Sequence, residues 1–499
     1  MAYVGLILAA LLAIFMWCYR RSKEAQQYWQ NRGVAVPVPP MIFLGNLGKR
    51  LTMRCSFHEM QKELYDEMKE YRYAGYYEGA RRLLMLIDEE LVRTVLIKDF
   101  DYFCDRPTLD LREDNYLRHM LISLKGTHWK KVRSVMTPTF SSGKIRAMTE
   151  LLRHSAKQIV QFLDERDVTG KNGHSVDLKD LFGRYAMDII ANCAFGVQCD
   201  SLTNPNADFI QRASHIDEVS IPQRFLIFFV MICWPGLARY VPLNMFHHET
   251  LQFLAEVVIQ TRKYRELDTK NRRNDFLQLL LDAASSGTEE SAVLSDDRVL
   301  VAQALLFMIA GYETSSSALS STAYELARHP EIQEKVRQET AELGHDSPYL
   351  EMVILEAMRL HPTVARLDRS VTASYELDPS TGLILQPGDI VSINVIGMHF
   401  DERHFPEPNR YDPERFSPEE KAKRSPYVYL PFGAGPRNCI GARFAMLSIR
   451  LALSEILRVY KFKVGDKTEI PMKLSTRSLL HKAANGVWVD IVPLQKEEK

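Results

Sequence analysis

Pro431-Phe432-Gly433-Ala434-Gly435-Pro436-Arg437-Asn438-Cys439-Ile440-Gly441 is the most informative stretch of this 499-residue chain. Its glycines and Pro436 predict a tight, constrained loop, because glycine reaches φ values that other residues avoid and proline fixes its own. Directly after Gly441 a long apolar repeat at helical spacing begins. Cys439 is therefore expected at a helix N-terminus, where free N–H groups and the helix dipole favour an anion. Both effects lower a thiol pKa and offer hydrogen bonds to the sulfur. A thiolate held this way is a soft ligand suited to iron. Gly435 and Gly441 would let the backbone come close to a flat macrocycle. One alternative is a buried structural cysteine in a glycine-rich turn. A nucleophilic cysteine is another, but nothing in the sequence pairs His399 or His404, the nearest upstream histidines, with it as a base.

The other cysteines carry no comparable context. Cys18, Cys55, Cys104, Cys193, Cys199 and Cys233 are scattered, with no C-x-x-C pair and no Cys/His cluster at zinc spacing. A disulfide scaffold is excluded on this pattern, a reducing compartment is favoured, and each of the six is expected to be a small buried hydrophobe. Lys+Arg and Asp+Glu both total 63, so the net charge gives no reason to expect a nucleic-acid partner. Hydrophobic residues at 46% and charged residues at 25% are ordinary for a globular body.

Met1 to Tyr19 carries no charge and is rich in Leu, Ile, Ala and aromatics, and Arg20, Arg21 and Lys23 follow directly. As a helix, roughly 20 residues span a bilayer core of about 30 Å. Because the positive charge follows the apolar run, we expect an uncleaved transmembrane anchor at 1–19 with the remainder in the cytosol; a cleaved signal is the competing reading. Residues 20–40 are basic and then proline-rich (Pro37, Pro39, Pro40), which predicts a stiff connector. No interdomain linker interrupts 41–499, expected to be one catalytic body. Apolar spacing predicts helices at Ser56–Tyr71, Lys144–Arg166, Leu178–Ala194, Phe246–Asp268, Asp297–Arg328, His329–Leu343, Pro348–Leu360 and Gly441–Tyr460. Strands are expected at Leu83–Ile87, Ile390–Asn394 and Gly486–Val492, and surface loops at Ser285–Ser295 and Ser417–Ser425. The fold class is thus mainly α with minor β. Ile221–Tyr240 contains an apolar run too short for a second span; contact with a membrane surface and core burial are both open.

Phe432-x-x-Gly435-x-Arg437-x-Cys439-x-Gly441 resembles the haem-binding signature of the cytochromes P450. Further segments resemble P450 elements in the family's order, from Trp129 to Gly441 and more loosely over the body after Pro40. The resemblance implies the P450 fold, a large helical domain with a small β-rich domain, and haem b as cofactor. It implies Cys439 as the iron ligand, with Phe432, Gly435, Arg437 and Gly441 around it. Trp129 and Arg133, four apart on one helix face, resemble the pair that meets a haem propionate; a solvated helix face is the plain alternative. Ala310-Gly311-Tyr312-Glu313-Thr314 resembles the oxygen-activation motif. There Ala310 and Gly311 would leave space over the iron, Glu313 would help relay protons and Thr314 would hydrogen-bond the oxygen being activated. For Thr314 the alternative is back-bonding to the carbonyl four residues earlier. Glu356, Arg359 and Arg415 resemble a structural ion trio that holds the segment before the thiolate loop. Arg369 and Arg437 match propionate-binding positions. Arg106 matches less well, since Asp105-Arg106 stands where close relatives often carry two arginines.

Met136-Thr137-Pro138-Thr139-Phe140-Ser141-Ser142-Gly143-Lys144 and Phe195-Gly196-Val197-Gln198-Cys199-Asp200-Ser201-Leu202 resemble the animal microsomal group that oxidises drugs, plant toxins and steroids. The resemblance implies an endoplasmic reticulum membrane location and insertion of one oxygen atom of O2 into a lipophilic small molecule. It implies electrons from NADPH-cytochrome P450 reductase, with cytochrome b5 as an additional candidate partner. Lys130, Lys131 and Arg443 would form a basic docking patch. Residues 103–122, Phe307, Ala310, Val364, Ala365 and Leu479 are expected to line an apolar pocket, each with core packing as its alternative. Two other functions compete: a same-fold enzyme that rearranges lipid peroxides without O2, and a non-catalytic haem sensor or carrier. Glu313-Thr314 favours monooxygenation over both.

Overall fold

The computed structural model describes residues 2–165, 174–196, 199–202, 216, 219–267, 275–288 and 291–494. The longer helices are α1 (Ala2–Gln26), α2 (Phe57–Met68), α3 (Gly126–Met136), α4 (Thr149–Glu165), α5 (Leu178–Ile190), α6 (Ile221–Cys233), α7 (His248–Leu267), α8 (Phe276–Ala284), α9 (Asp297–Arg328), α10 (Pro330–Leu343), α11 (Pro348–Leu360) and α12 (Ala442–Leu457). The strands are β1 (Tyr73–Glu78), β2 (Arg81–Leu86), β3 (His174–Asp177), β4 (Arg366–Ser370), β5 (Tyr375–Asp378), β6 (Leu383–Leu385), β7 (Ile390–Asn394), β8 (Tyr460–Lys463) and β9 (Trp488–Pro493). The body is therefore helix-rich with small sheets.

The core divides accordingly. One large apolar cluster joins α4, α5, α9, α11 and α12, and a second lies under the sheet ordered β1-β2-β7-β4. In that sheet β2 and β7 run parallel with Leu83 opposite Ile390, and β4 closes it antiparallel to β7. A second sheet, β3-β9-β8, ties residues near 175 to the C-terminal segment, and β5-β6 is a hairpin. The long helix α9 starts at Asp296, whose side chain accepts from the Arg298 N–H. It is long and apolar enough to cross a membrane, but its apolar stretch packs in the core, 56% of it buried. The two ends of α2 show local control: Ser56 and Glu59 form a reciprocal capping box at its start.

Several boundaries differ from the sequence expectations. Lys144–Arg166 divides at Met148 into Ser142–Ala147 and α4, and Arg166 lies outside the described residues. Leu178–Ala194 leaves α geometry after Ile190 and winds as a π-turn to Gly196, which takes φ 62°. Ser417–Ser425, expected as a loop, holds a short helix, Pro418–Lys423, because Ser417 caps it by accepting from the Glu420 N–H. Asp268, Val197 and Gln198, residues 289–290 of the Ser285–Ser295 segment and residues 495–499 lie outside the described residues. Packing begins upstream of the proline cluster: Trp29 is fully buried and lies on Gly75, and its backbone N–H donates to Tyr77 Oη at 3.1 Å. In α6, Phe225 and Phe229 are exposed while Val230 is buried, and Trp234 stacks on Trp17 of α1 at 5.3 Å. Core burial and an outward apolar face thus coexist on one helix.

Candidate active site

Cys439 lies just before α12, in the loop that the glycines shape. Gly433 and Gly435 take φ of 69° and 72°, values that side chains disfavour. The Cys439 N–H donates to Phe432 O at 2.8 Å and the Asn438 N–H to Gly435 O at 3.0 Å, so the loop folds back on itself. Gly435 has a further reason to be glycine: a Cβ there would overlap Leu96 O, so the loop packs directly on the 94–98 turn. Gly441 is different, since the nearest atom to a Cβ there would be Phe140 Cε1 at 3.9 Å. The Cys439 sulfur is accessible yet set deep within the surrounding chain. Burial pushes this thiol up, against the hydrogen bond from Gly441 and the positive charges of Arg133 and Arg106. The expected lowering at a helix end is thus outweighed by desolvation in the free thiol; coordination to a metal would reverse the balance by taking the proton's place.

Arginines surround this loop. Arg133, from α3, donates to Asn438 O at 3.0 Å and to Asn438 Oδ1 at 2.8 Å, which clamps the residue before the cysteine. Arg437 stacks over Trp129 of the same helix, 4.6 Å from its centroid, and donates to Leu124 O. Trp129 and Arg133 therefore hold two successive loop residues. Arg369, on β4, is almost fully buried. Burial, then the charges of Arg106 and Arg437, press the Arg369 pKa down to about 9, with Asp368 offsetting part of this. Burial, then Arg106, brings Arg437 down to about 10. Burial also lowers Arg106, which acts on Cys439 through its charge. Arg369 Nε and Arg437 Nε are buried with no hydrogen-bond partner. Several cations brought together with N–H groups left over form a site for anionic groups.

The helix α9 supplies a second group of expected residues. Ala310 and Thr314 share an accessible face, and Thr314 Oγ1 donates back to Ala310 O at 2.6 Å. Back-bonding is therefore present, and it leaves the hydroxyl oxygen's lone pairs available. Glu313 turns toward α5, where Lys179 Nζ lies 3.1 Å from Glu313 Oε1. The same ammonium donates to Glu313 O, Ser316 Oγ and Ser317 Oγ at 3.2, 2.7 and 2.9 Å. Lys179 was not foreseen; no local motif marks it, because its partners lie more than 130 residues away. Gly311 does not leave space over a ligand as expected. A Cβ there would sit 2.8 Å from Ile190 Cδ1, so the glycine serves the close packing of α5 on α9.

The Cytochrome P450 family model matches residues 36–488. This chain belongs to the cytochrome P450 family. It is 34% identical to the probable cytochrome P450 6a13 of Drosophila melanogaster, over 98% of this chain and 99% of that one. It is 34% identical to cytochrome P450 9e2 of Blattella germanica (90% and 91% covered) and 34% to human cytochrome P450 3A5 (95% and 94% covered). As a P450 it is a monooxygenase that uses haem iron.

The residues present fit that cofactor. No three His, Cys, Asp or Glu side chains are placed to hold a metal ion among the described residues. A lone cysteine cannot hold a bare ion, but it suits an iron that brings four donors of its own. The buried, partnerless Arg369 and Arg437 N–H groups suit the macrocycle's carboxylates.

In this P450 the ion trio is structural. Glu356 and Arg359 are fully buried and paired through two hydrogen bonds of 2.7 and 2.9 Å. Arg359 also donates to His399 O and Arg410 O, Glu356 accepts from the Asp412 N–H, and Arg415 Nε stands 3.5 Å from Glu356. Around the expected docking patch, Lys130 pairs with Asp101 at 2.8 Å and Arg443 donates to Ser142 Oγ at 3.1 Å. The expected pocket residues divide. Ile122, Ala310, Val364 and Leu479 are exposed. Phe103 and Ala365 are fully buried in the β-rich core. Phe307 stacks on Phe276 at 4.6 Å and meets Phe140 and Phe444, so it belongs to an aromatic cluster between α8, α9 and α12.

Proposed function

We propose that this P450 inserts one oxygen atom of O2 into a lipophilic xenobiotic, steroid or lipid, using haem b held by Cys439 and NADPH-derived electrons from NADPH-cytochrome P450 reductase. Cytochrome b5 is a second candidate donor. The reading is carried by the Cys439 loop, clamped by Arg133 and flanked by Arg369 and Arg437, whose buried Nε–H groups have no protein partner. Bound haem supplies a redox-active iron at which O2 is reduced, and a thiolate ligand favours O–O cleavage there.

The chain's own residues divide the remaining work. Cys439 provides the anionic sulfur, and the Gly441 N–H and the Arg133 and Arg106 charges stabilise it. Arg369, Arg437 and Arg106, with Trp129 and Arg133, seat the propionates. Thr314 Oγ1 and Glu313, on α9, would pass protons to the bound group, and Lys179 fixes where Glu313 rests. Ala310, Val364 and Leu479 offer apolar surface to substrate. The named relatives, two from insects and one human, are P450s matched over 90% or more of this chain, which supports the monooxygenase reading.

The exposed apolar residues of α1, followed by Arg20, Arg21 and Lys23, suit an endoplasmic reticulum anchor with the body facing the cytosol. On this reading residues 1–19 are the anchor and 41–499 the catalytic body, with 20–40 joining them and already packed on the body through Trp29. Carbonate-washed membranes should retain the full chain and release one lacking residues 2–19.

The deciding experiment is the reduced carbon monoxide difference spectrum. The holoprotein should give the red-shifted band of thiolate-ligated haem, and Cys439→Ala should abolish it. Survival of that band in the variant would overturn the assignment of the ligand.

A further inference from the structure

Three histidines meet away from the arginine cluster, at the junction of α2, the C-terminal end of α9, the turn after α11 and the hairpin around residues 474–483. His58 and His481 are buried, and their rings stand edge to face at 5.3 Å; His361 meets His481 in the same way at 5.1 Å. Hydrogen bonds link these side chains in sequence. Glu325 is buried and accepts two 3.0 Å hydrogen bonds from Arg328. Burial opposes its ionisation, but His361, Arg328 and His329 hold its carboxyl below the usual range. A carboxylate has no proton to give, so the 2.7 Å contact to His361 Nε2 places the proton on that nitrogen. His361 Nδ1 faces His481 Nε2 at 3.4 Å and shares a hydrogen bond with it. His58 Nε2 donates to Pro362 O at 2.8 Å and steadies the same turn. Burial, the neighbouring histidines and Lys179 keep His481 neutral.

The far end of this relay is the hairpin. Its strands are joined at Leu474 and Ala483 and by the Ser475 N–H to Lys482 O, 2.8 Å. Its tip lies along the turn after α11, with Leu480 bridged to Val364 and the His481 N–H donating to Thr363 O at 3.0 Å. Between Phe462 and Val487, His481 is the one buried residue. The tip itself is 59% exposed at Leu479, beside Val364 at 38%. Backbone bonds to Thr363 and Val364 and the Arg50 bond to Ser478 O hold the tip along the turn, and the His481 ring is the one side chain that anchors it in the interior.

We propose that His481 is a positioning residue for ligand size: through His361 and Glu325 it fixes where Leu479 stands against Val364, and so how large an apolar ligand this face accepts. This rests on the haem site and pocket face assigned above. It explains why a hydrogen-bonded histidine, and not an apolar residue, fills this buried position.

The test uses purified holoenzyme and two azoles that ligate haem iron, imidazole and the bulky clotrimazole, titrated by difference spectroscopy. His481→Phe keeps a ring but removes the hydrogen-bonding nitrogen, while His481→Gln keeps an amide able to reach His361. Clotrimazole should bind about tenfold more weakly to His481→Phe, roughly the factor one hydrogen bond supplies. Imidazole should be unchanged, and His481→Gln should bind clotrimazole as the wild type does. Amide exchange at 474–483 should quicken in His481→Phe and not in His481→Gln. Unchanged clotrimazole binding in His481→Phe, parallel weakening of imidazole, or no rescue by glutamine would overturn the proposal. Should His481→Phe not retain haem, His481→Asn, whose shorter amide stops short of His361, carries the same expectations. Failure of imidazole to shift the wild-type spectrum would sink the haem reading itself, which keeps the two failures apart.

Discussion

Arg369 is held in an arrangement that would be unfavourable without an anionic partner. It is buried, pressed by two neighbouring guanidinium groups, and has an Nε with nothing to donate to. Arg369→Leu should therefore act in opposite directions on two measurements. Haem retention should fall roughly 10- to 100-fold, the loss of one charge-assisted hydrogen bond of about 1.5–3 kcal/mol. The apoprotein should unfold no more easily than wild type, because a buried cation and its repulsions are gone. Haem-to-protein ratio after gel filtration and denaturant midpoints of the apoprotein measure the two. Lys179 raises a separate question at the same scale. Lys179→Met would strand Glu313 Oε1 and remove the donor to Ser316 and Ser317. Turnover should fall about tenfold or more, with a larger share of consumed O2 returned as peroxide, since a displaced proton-relay group typically matters at that scale. Lys179→Arg should recover part of the loss; unchanged coupling in Lys179→Met would remove the residue from the proton path.

Between elements, the contact of α5 with α9 is governed by Gly311. Alanine there would gain about 1 kcal/mol of helix propensity. It would also drive a methyl group to 2.8 Å from Ile190 Cδ1, an overpacking penalty of roughly 1–3 kcal/mol. Gly311→Ala should thus lower stability, and adding Ile190→Val, which removes the clashing methyl group, should restore it; denaturant midpoints of the single and double variants decide. The joint after α11 depends on charge geometry instead. Arg359 satisfies a carboxylate and two backbone carbonyls at once, so Arg359→Ala should destabilise by about 3–5 kcal/mol and reduce folded yield. Lysine should not rescue it, since it lacks the planar fork. The helix positions themselves were largely legible: α9, α11 and β7 fall where apolar period and turn chemistry put them. Strand β4 was not, because Arg366-Leu367-Asp368-Arg369-Ser370 has no apolar alternation; its place is set by pairing with β7 and by the charges it buries.

Over the whole molecule, buried histidines make the fold acid-sensitive. Burial brings His58 down to about 4, and burial with the Arg359 charge brings His399 down to about 3; His481 is also far below its usual range. Above about pH 6.5 these rings are neutral in folded and unfolded chains alike. As pH falls toward 4 the unfolded chain takes up their protons and the folded chain does not, so stability is lost. Asp188, pushed up to about 6 by burial, has the opposite sign and offsets one histidine over much of that range. The net expectation is a loss of stability as pH falls from 6 to 4. Guanidinium midpoints across that range measure it, and His58→Phe should flatten the slope. The sequence by itself determined the family, the glycine-rich loop that carries Cys439 and the core helix with Glu313-Thr314. These are local patterns, fixed by spacing along one chain. Only the tertiary structure decided that Gly435 and Gly311 answer to Leu96 and Ile190, that Lys179 holds Glu313, and that Phe307 packs in an aromatic cluster. It also showed that burial outweighs the helix end at the free Cys439 thiol. Each of these depends on which distant atom fills the space beside a residue, and desolvation depends on all of them together, so no reading of neighbours in sequence can supply it.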